Sequence, residues 1–228
     1  MNKENSKSGF LLLDKPAGPT SFGMIPKLRR ITGIKKIGHA GTLDPFATGL
    51  LIIAISREAT REIDKYVKLA KVYEAELCLG KSSTTFDPEG DITKTSSKNP
   101  SLEEIERALE KFSGKIKQVP PMYSAIKVNG QKLYNLARRG IEIERKPRDV
   151  EIFENEVLEY NYPLLKIKTY VSSGTYIRSL ASDIGEELET GAYLKNLRRT
   201  RIGDMRVEDA CKIEELEKGE WERFLKFL

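Results

Sequence analysis

Residues 39 to 51, His-Ala-Gly-Thr-Leu-Asp-Pro-Phe-Ala-Thr-Gly-Leu-Leu, set one carboxylate, Asp44, among glycines, a proline and small side chains. That composition is a loop's. Gly41 and Gly49 reach backbone angles closed to other residues, while Pro45 fixes its own φ and turns Asp44 away from the α region. A carboxylate on a constrained turn can act as a nucleophile or as the counter-charge to a cation formed during a reaction. An Asp-Pro step also opens ordinary turns, so residue type alone leaves both readings open. Other chemistry-bearing side chains are few. His39 is the only histidine, Cys78 and Cys211 are far apart with no CxxC spacing, and no phosphate-binding or dinucleotide glycine motif is present. No metal site, disulfide framework or nucleotide cofactor is indicated, so the chemistry falls to side chains.

Cations form the second pattern. Residues 27 to 36 hold Lys27, Arg29, Arg30, Lys35 and Lys36 with no acid. Residues 115 to 148 hold nine bases against Glu142 and Glu144, residues 195 to 206 hold five against Asp204, and residues 208 to 228 reverse to seven acids and four bases. On a chain of net charge +5 such segregation suits a polyanionic partner, although any one cluster also reads as a solvated face. Tyr123 and Tyr134 interleave with bases between 120 and 140, the mixture an RNA-contacting loop uses for stacking and for phosphates.

The elements that must position these groups follow from periodicity. Leu50 to Ile55 is a continuous apolar run, as expected of a strand buried on both faces, and residues 9 to 21 read as a short buried strand running into a Pro/Gly turn. Thr20 or Ser21 caps a helix with Phe22, Ile25, Leu28 and Ile31 on its apolar face and Gly33 as its stop. Glu58 to Leu69 is a helix, Lys71 to Leu79 alternates like a strand, and residues 80 to 99 are loop. Ser101 and Glu104 make a capping box for a helix stopped at Gly114. Val150 to Tyr160 and Leu164 to Val171 form a hairpin-like pair, followed by a helix with Ile177, Leu180, Ile184 and Leu188 on one face. Trp221 to Leu228 reads as an amphipathic helix. No apolar run is long enough to span a bilayer and the start is polar, so the expectation is a cytoplasmic protein.

The stretch Gly38-His39-Ala40-Gly41-Thr42-Leu43-Asp44-Pro45, followed by Ala47-Thr48-Gly49, resembles the signature of the TruB-type tRNA pseudouridine synthases. Further blocks are similar in the same order: Leu13-Asp14-Lys15-Pro16 with Gly18 and Thr20-Ser21, Lys71 with Tyr73, Pro120 to Gly140, Ser173 to Arg178, and Gly191 to Thr200. The resemblance implies an α+β pseudouridine-synthase fold, a mixed, mostly antiparallel sheet with flanking helices and a thumb-like loop. It implies Asp44 as the catalytic residue, Arg178 as its partner and Tyr73 as the ring stacking on the target base. Leu197 would line the uracil pocket, His39 would act as a wedge in the RNA, and Lys15, Asp87 and Tyr176 would lie at the substrate. Arg138 and Arg139 belong to the thumb. The implied reaction converts uridine 55 of the tRNA T-loop to pseudouridine by base flipping, with no cofactor, on a monomer whose partner is the T-arm. We expect a disordered lead at 1 to 8, one catalytic domain at 9 to 228 and none of the PUA domain that family members commonly carry. Thr84 stands where the family usually has an acid. A guide-RNA-dependent synthase and an RNA chaperone are the two rival readings.

Overall fold

The computed structural model describes residues 8–124, 126–128 and 130–227. The expected lead thus lies outside the described residues except for Ser8, as does Ala125 of the Pro120 block. In chain order the elements are β1 (Gly9–Lys15), α1 (Met24–Thr32), β2 (Ile37–Ala40), β3 (Thr48–Ile55), α2 (Ser56–Glu62), α3 (Asp64–Val67) and β4 (Lys71–Leu79). Next come β5 (Lys81–Ser83), β6 (Ile92–Lys94), α4 (Leu102–Lys111), β7 (Gly114–Gln118), β8 (Lys127–Val128), β9 (Gln131–Lys132) and α5 (Leu133–Ala137). The chain continues through β10 (Arg148–Asn161), β11 (Leu164–Val171), α6 (Ile177–Glu187), β12 (Ala192–Ile202), β13 (Met205–Arg206) and α7 (Ile213–Glu217). Residues group into two compact units, one of Met1–Tyr73 with Leu197–Leu228 and one of Glu74–Asn196, whose boundaries fall inside β4 and β12. No helix among the described residues is long and apolar enough to cross a membrane.

The first unit is built on β3. Its partner β1 runs antiparallel with Leu13 opposite Leu51 and Leu11 opposite Ile53, β2 pairs with its second half, and β12 runs parallel beside Thr48 and Gly49. Because strand side chains alternate, Leu11, Leu13, Leu51, Ile53 and Ile55 pack on one face with Met24, Ile25 and Leu28 of α1 and with Ile213, Leu216 and Trp221. Leu12, Leu50, Ile52 and Ala54 fill the other face with Ala59, Ile202 and Val207. The apolar run is therefore buried on both faces as its composition requires.

In the second unit the strand order is β12-β4-β11-β10-β7. β11 buries alternate residues, Leu165, Ile167, Thr169 and Val171, and pairs antiparallel with β10. Helix α4 opens on the expected capping box: the Ser101 hydroxyl accepts the Glu104 amide at 3.2 Å and the Glu104 carboxylate accepts the Ser101 amide at 2.7 Å. Helix α6 buries Ile177, Leu180 and Ile184.

Several elements differ from the sequence expectation, each for a local reason. Helix α1 starts at Met24, after a turn at 21 to 23, which leaves Phe22 71% exposed instead of on the apolar face. The helix expected at 58 to 69 is broken into α2 and α3. Residues 80 to 99 contain the paired strands β5 and β6, and α4 ends at Lys111 with Phe112 as its C-cap, so Gly114, expected as its stop, instead begins β7. Trp221–Phe224 is a single 3₁₀ turn, after which Lys226 pairs with Phe10 near the start of β1, so residues 225 to 227 are not helical, and Leu228 of the expected helix lies outside the described residues.

Candidate active site

Asp44 lies in the span 41 to 47 between β2 and β3, and the backbone is held on both sides of it. On one side the Ser21 hydroxyl accepts the Leu43 amide at 2.8 Å and donates to the Leu43 carbonyl at 3.1 Å. On the other, the Pro45 carbonyl accepts the Gly18 amide at 2.8 Å and the Lys15 ammonium at 3.3 Å. The same ammonium donates to the carbonyls of Pro16 at 2.7 Å and Ala47 at 2.8 Å. Lys15 is fully buried, so it faces the backbone of the carboxylate loop and not solvent. Burial pushes its pKa down to about 8; the Asp44 carboxylate opposes that shift and the Arg199 charge adds to it. Lys15 consequently remains an ammonium at neutral pH beside Asp44. Serving three carbonyls at and beside the loop, it organises the backbone that carries Asp44.

Gly49 closes the span at φ +102°, and a Cβ there would lie 2.2 Å from the Arg199 carbonyl oxygen, so only glycine fits. The Arg199 side chain is equally enclosed, donating from Nε to the Leu50 carbonyl at 2.7 Å and from Nη2 to the Gly41 carbonyl at 2.9 Å. Lys71 is a third buried cation, bonded to the carbonyls of Val67 at 2.9 Å and Leu69 at 2.5 Å, with its pKa lowered to about 8 by burial and by Arg199. His39 sits on β2 and not in the loop; it is half-buried, and its Nδ1 has no hydrogen-bond partner among the described residues. Burial and the Arg199 charge hold its pKa below the usual histidine range, so the imidazole is neutral at pH 7. Tyr73 and Leu197 are each 7% exposed, and the Thr200 hydroxyl donating to the Val72 carbonyl at 3.3 Å ties their strands together. Arg198 grips Asp14 with two bonds, at 3.0 and 2.8 Å.

The second unit carries the other predicted cation. Arg178 is 4% exposed at the start of α6, where a positive charge opposes the helix dipole and calls for a partner. There Asp87 accepts from Nη1 at 3.1 Å, the Thr85 carbonyl from Nη1 at 3.3 Å and the Tyr123 carbonyl from Nη2 at 2.6 Å. Asp87 is itself oriented by the Thr85 hydroxyl at 2.5 Å and the Glu89 amide at 2.9 Å. Tyr176 is pinned through its backbone, its amide donating to Gln118 Oε1 at 2.8 Å and its carbonyl accepting from Gln118 Nε2 at 3.0 Å. Arg138 and Arg139 stand exposed after α5, with the Arg138 guanidinium 5.8 Å from the Tyr134 ring centre. Thr84, at the family's acid position, accepts the Asp91 amide at 3.0 Å.

The structure thus sets the Lys15 charge within electrostatic reach of Asp44 in one unit and pairs Asp87 with Arg178 in the other. Sequence reasoning missed the supporting roles of Ser21, Lys71 and Arg199. Their only advance signal is position, since each falls in or beside a motif block whose other members carry the resemblance. No cluster of three or more metal-ligating side chains occurs among the described residues.

A model of the TruB family pseudouridylate synthase N-terminal domain matches residues 29–177, and one of the tRNA pseudouridylate synthase B C-terminal domain matches residues 178–224. The tRNA pseudouridine synthase B of Protochlamydia amoebophila is 49% identical over 201 residues, covering 88% of this chain and 76% of that one. Its namesake from Desulfotalea psychrophila is 46% identical over 233 residues, covering 99% and 95%. Among solved structures, a Cbf5-Nop10-Gar1 complex contains a chain with TM-score 0.74 and 31% identity over 92% of this chain. An H/ACA RNP bound to a substrate RNA containing 2′-deoxyuridine gives TM-score 0.72 and 26% identity over 96% of this chain. This chain spans 54% and 58%, respectively, of the length of those two.

Proposed function

Because the chain belongs to the TruB family of pseudouridylate synthases, we propose that it isomerises uridine 55 in the T-loop of tRNA to pseudouridine, with Asp44 as the essential carboxylate. The observation that carries this reading is the fixing of the backbone on both sides of Asp44, by Ser21 on Leu43 and by Gly18 and Lys15 on Pro45. A carboxylate that must meet one sugar–base bond gains from such pre-organisation.

In the reaction the C1′–N1 bond breaks, the uracil turns, and C1′ bonds to C5. The C5 proton leaves and N1 takes one up, so substrate and product are isomers. Nothing is oxidised and no water is consumed. Asp44 engages the substrate as an anion, and Arg178, by its match to the family motif, supplies the opposing charge that keeps it ionised. The uridine is extruded from its stack at a cost of roughly a few kcal/mol. Tyr73 and Leu197 receive it. His39, neutral at pH 7, fills the vacated space as an uncharged ring, and Tyr176 lies at the substrate beside Arg178. Arg138 and Arg139 engage phosphates.

Incubating the purified chain alone with unmodified tRNA and mapping pseudouridine by position tests the reading. We expect modification at position 55 with no added protein or guide RNA. Dependence on a guide RNA would favour the mode of the H/ACA complexes, and no modification with retained RNA refolding would favour a chaperone.

A further inference from the structure

Arg199 is 1% exposed, and its chain neighbour Arg198 already serves Asp14. An arginine buried to that degree is costly unless its donors are matched. Two of the five Arg199 donors are taken by carbonyls on the two sides of one loop. Nε reaches the Leu50 carbonyl at 2.7 Å and Nη2 reaches the Gly41 carbonyl at 2.9 Å, bracketing the span that carries Asp44. The backbone of the same residue runs parallel to Gly49 in the sheet and approaches it so closely that no side chain fits there. At the other end Gly41 takes φ +77°, and a Cβ would meet Arg199 Nη1 at 3.3 Å.

We infer that Arg199 is a positioning residue for Asp44: its planar guanidinium ties both ends of the carboxylate loop and fixes their separation. The inference rests on the role given to Asp44 above. A guanidinium presents donors in a rigid fork, whereas an ammonium is a point on a flexible stem that reaches one carbonyl or the other. Lys15 and Ser21 hold the middle of the loop; Arg199 holds its mouth. Because the side chain is enclosed beneath the loop, it acts through the geometry of Asp44 and not by touching RNA.

The test compares Arg199→Lys with Leu216→Ala, a truncation in a core cluster shared with α1 that includes no residue of 41 to 50. Both variants should melt at lower temperature. For Arg199→Lys, assayed well below its Tm, we expect kcat to fall about a hundredfold, as for a misplacement of about 1 Å, with KM for tRNA within about threefold. Leu216→Ala should keep the wild-type kcat. Independently of activity, exchange of the amides of residues 41 to 50 should speed up about tenfold in Arg199→Lys and not in Leu216→Ala. If Arg199→Lys does not accumulate folded, Arg199→Gln, which keeps one donor, replaces it. Failure of both to fold would assign Arg199 to global stability and overturn the inference. Unchanged exchange across the loop, or a kcat loss matched by Leu216→Ala, would overturn it too. A wild-type chain that makes no pseudouridine would remove the functional reading, and the exchange measurement would still decide whether Arg199 clamps the loop.

Discussion

The loop that carries Asp44 and the segment from Tyr123 to Arg148 are both rich in motif residues, yet they are held in opposite ways. Around Asp44 the cations are buried and spend their donors on backbone carbonyls: Lys15 on three, Lys71 on two and Arg199 on two. Between 123 and 148 Arg138, Arg139, Lys146 and Arg148 are exposed, and the described anchors include backbone bonds such as the Tyr134 amide to the Ser124 carbonyl at 3.1 Å and the Leu133 amide to the Ile126 carbonyl at 2.8 Å. Under the proposed function the difference separates two tasks. Chemistry on one bond needs a group fixed to within about half an ångström, whereas capture of a phosphate chain needs mobile charge facing water.

The largest effect that would break this division is at Asp44. Asp44→Asn conserves shape and removes charge, so turnover should fall on the order of 10⁴-fold, as when a residue acting directly in the chemistry is removed, while RNA affinity stays within a few fold. Appreciable turnover by the variant would exclude the assigned role. Next in size is Arg178→Met. It strands the buried Asp87, whose side chain is 4% exposed, and breaking a buried pair costs about 3 to 5 kcal/mol. Paired kinetics and melting should show that loss in stability or in rate; no change in either would sink the pairing.

How far the sequence could be read depends on whether a residue's environment is local. β3 was legible because six consecutive apolar residues, Leu50 to Ile55, have no alternative to burial, and β4 was legible by alternation over Lys71 to Leu79. β12 was not, because Arg198, Arg199 and Arg201 interrupt the apolar pattern with charges whose burial depends on distant partners. Arg198 needs Asp14, and Arg199 needs Gly41 and Leu50. For the same reason the cationic cluster at 195 to 206 read as a surface for a polyanion or as a solvated face, although Arg198 and Arg199 spend donors on partners within the first unit. Phe22 failed differently. Helical spacing placed it on the buried face, but Thr20 accepts the Gly23 amide at 2.8 Å, and the helix begins only afterwards. Asp44 was marked by its loop composition, whereas the Ser21, Lys15 and Arg199 contacts that hold it required the folded chain.

A smaller effect sharpens the electrostatic side of the comparison. Lys15 and Lys71 each titrate near pH 8 in the folded chain because burial lowers them from 10.5. Between about pH 8 and 10.5 the unfolded chain therefore holds more protons than the folded one, and stability rises with pH across that window. Below about pH 8 both lysines are charged in both states, and the full cost of burying them is present. Melts of Lys15→Met should show a shallower rise above pH 8 than those of the parent. Parallel curves would mean that Lys15 is not the buried cation described.

The smallest expected effect concerns the exposed arginines. Each phosphate neutralised contributes roughly 0.7 to 0.9 to the slope of log affinity against log salt, depending on whether the strand is single or paired. Replacing Arg138 and Arg139 together by glutamine should then reduce the slope for tRNA by about 1.4 to 1.8 if each meets one phosphate. Arg199→Lys should leave the slope where it was, since a side chain 1% exposed has no counterion-bearing phosphate to displace. Binding measured from low to high salt for the parent and both variants separates the two kinds of cation in one experiment. A slope indifferent to Arg138 and Arg139 would move phosphate capture to the exposed bases of α1, Arg29 and Arg30. A slope that falls for Arg199→Lys would mean that this buried guanidinium is drawn out to the RNA, and the distinction between a pre-formed carboxylate loop and an adaptable basic segment would not hold.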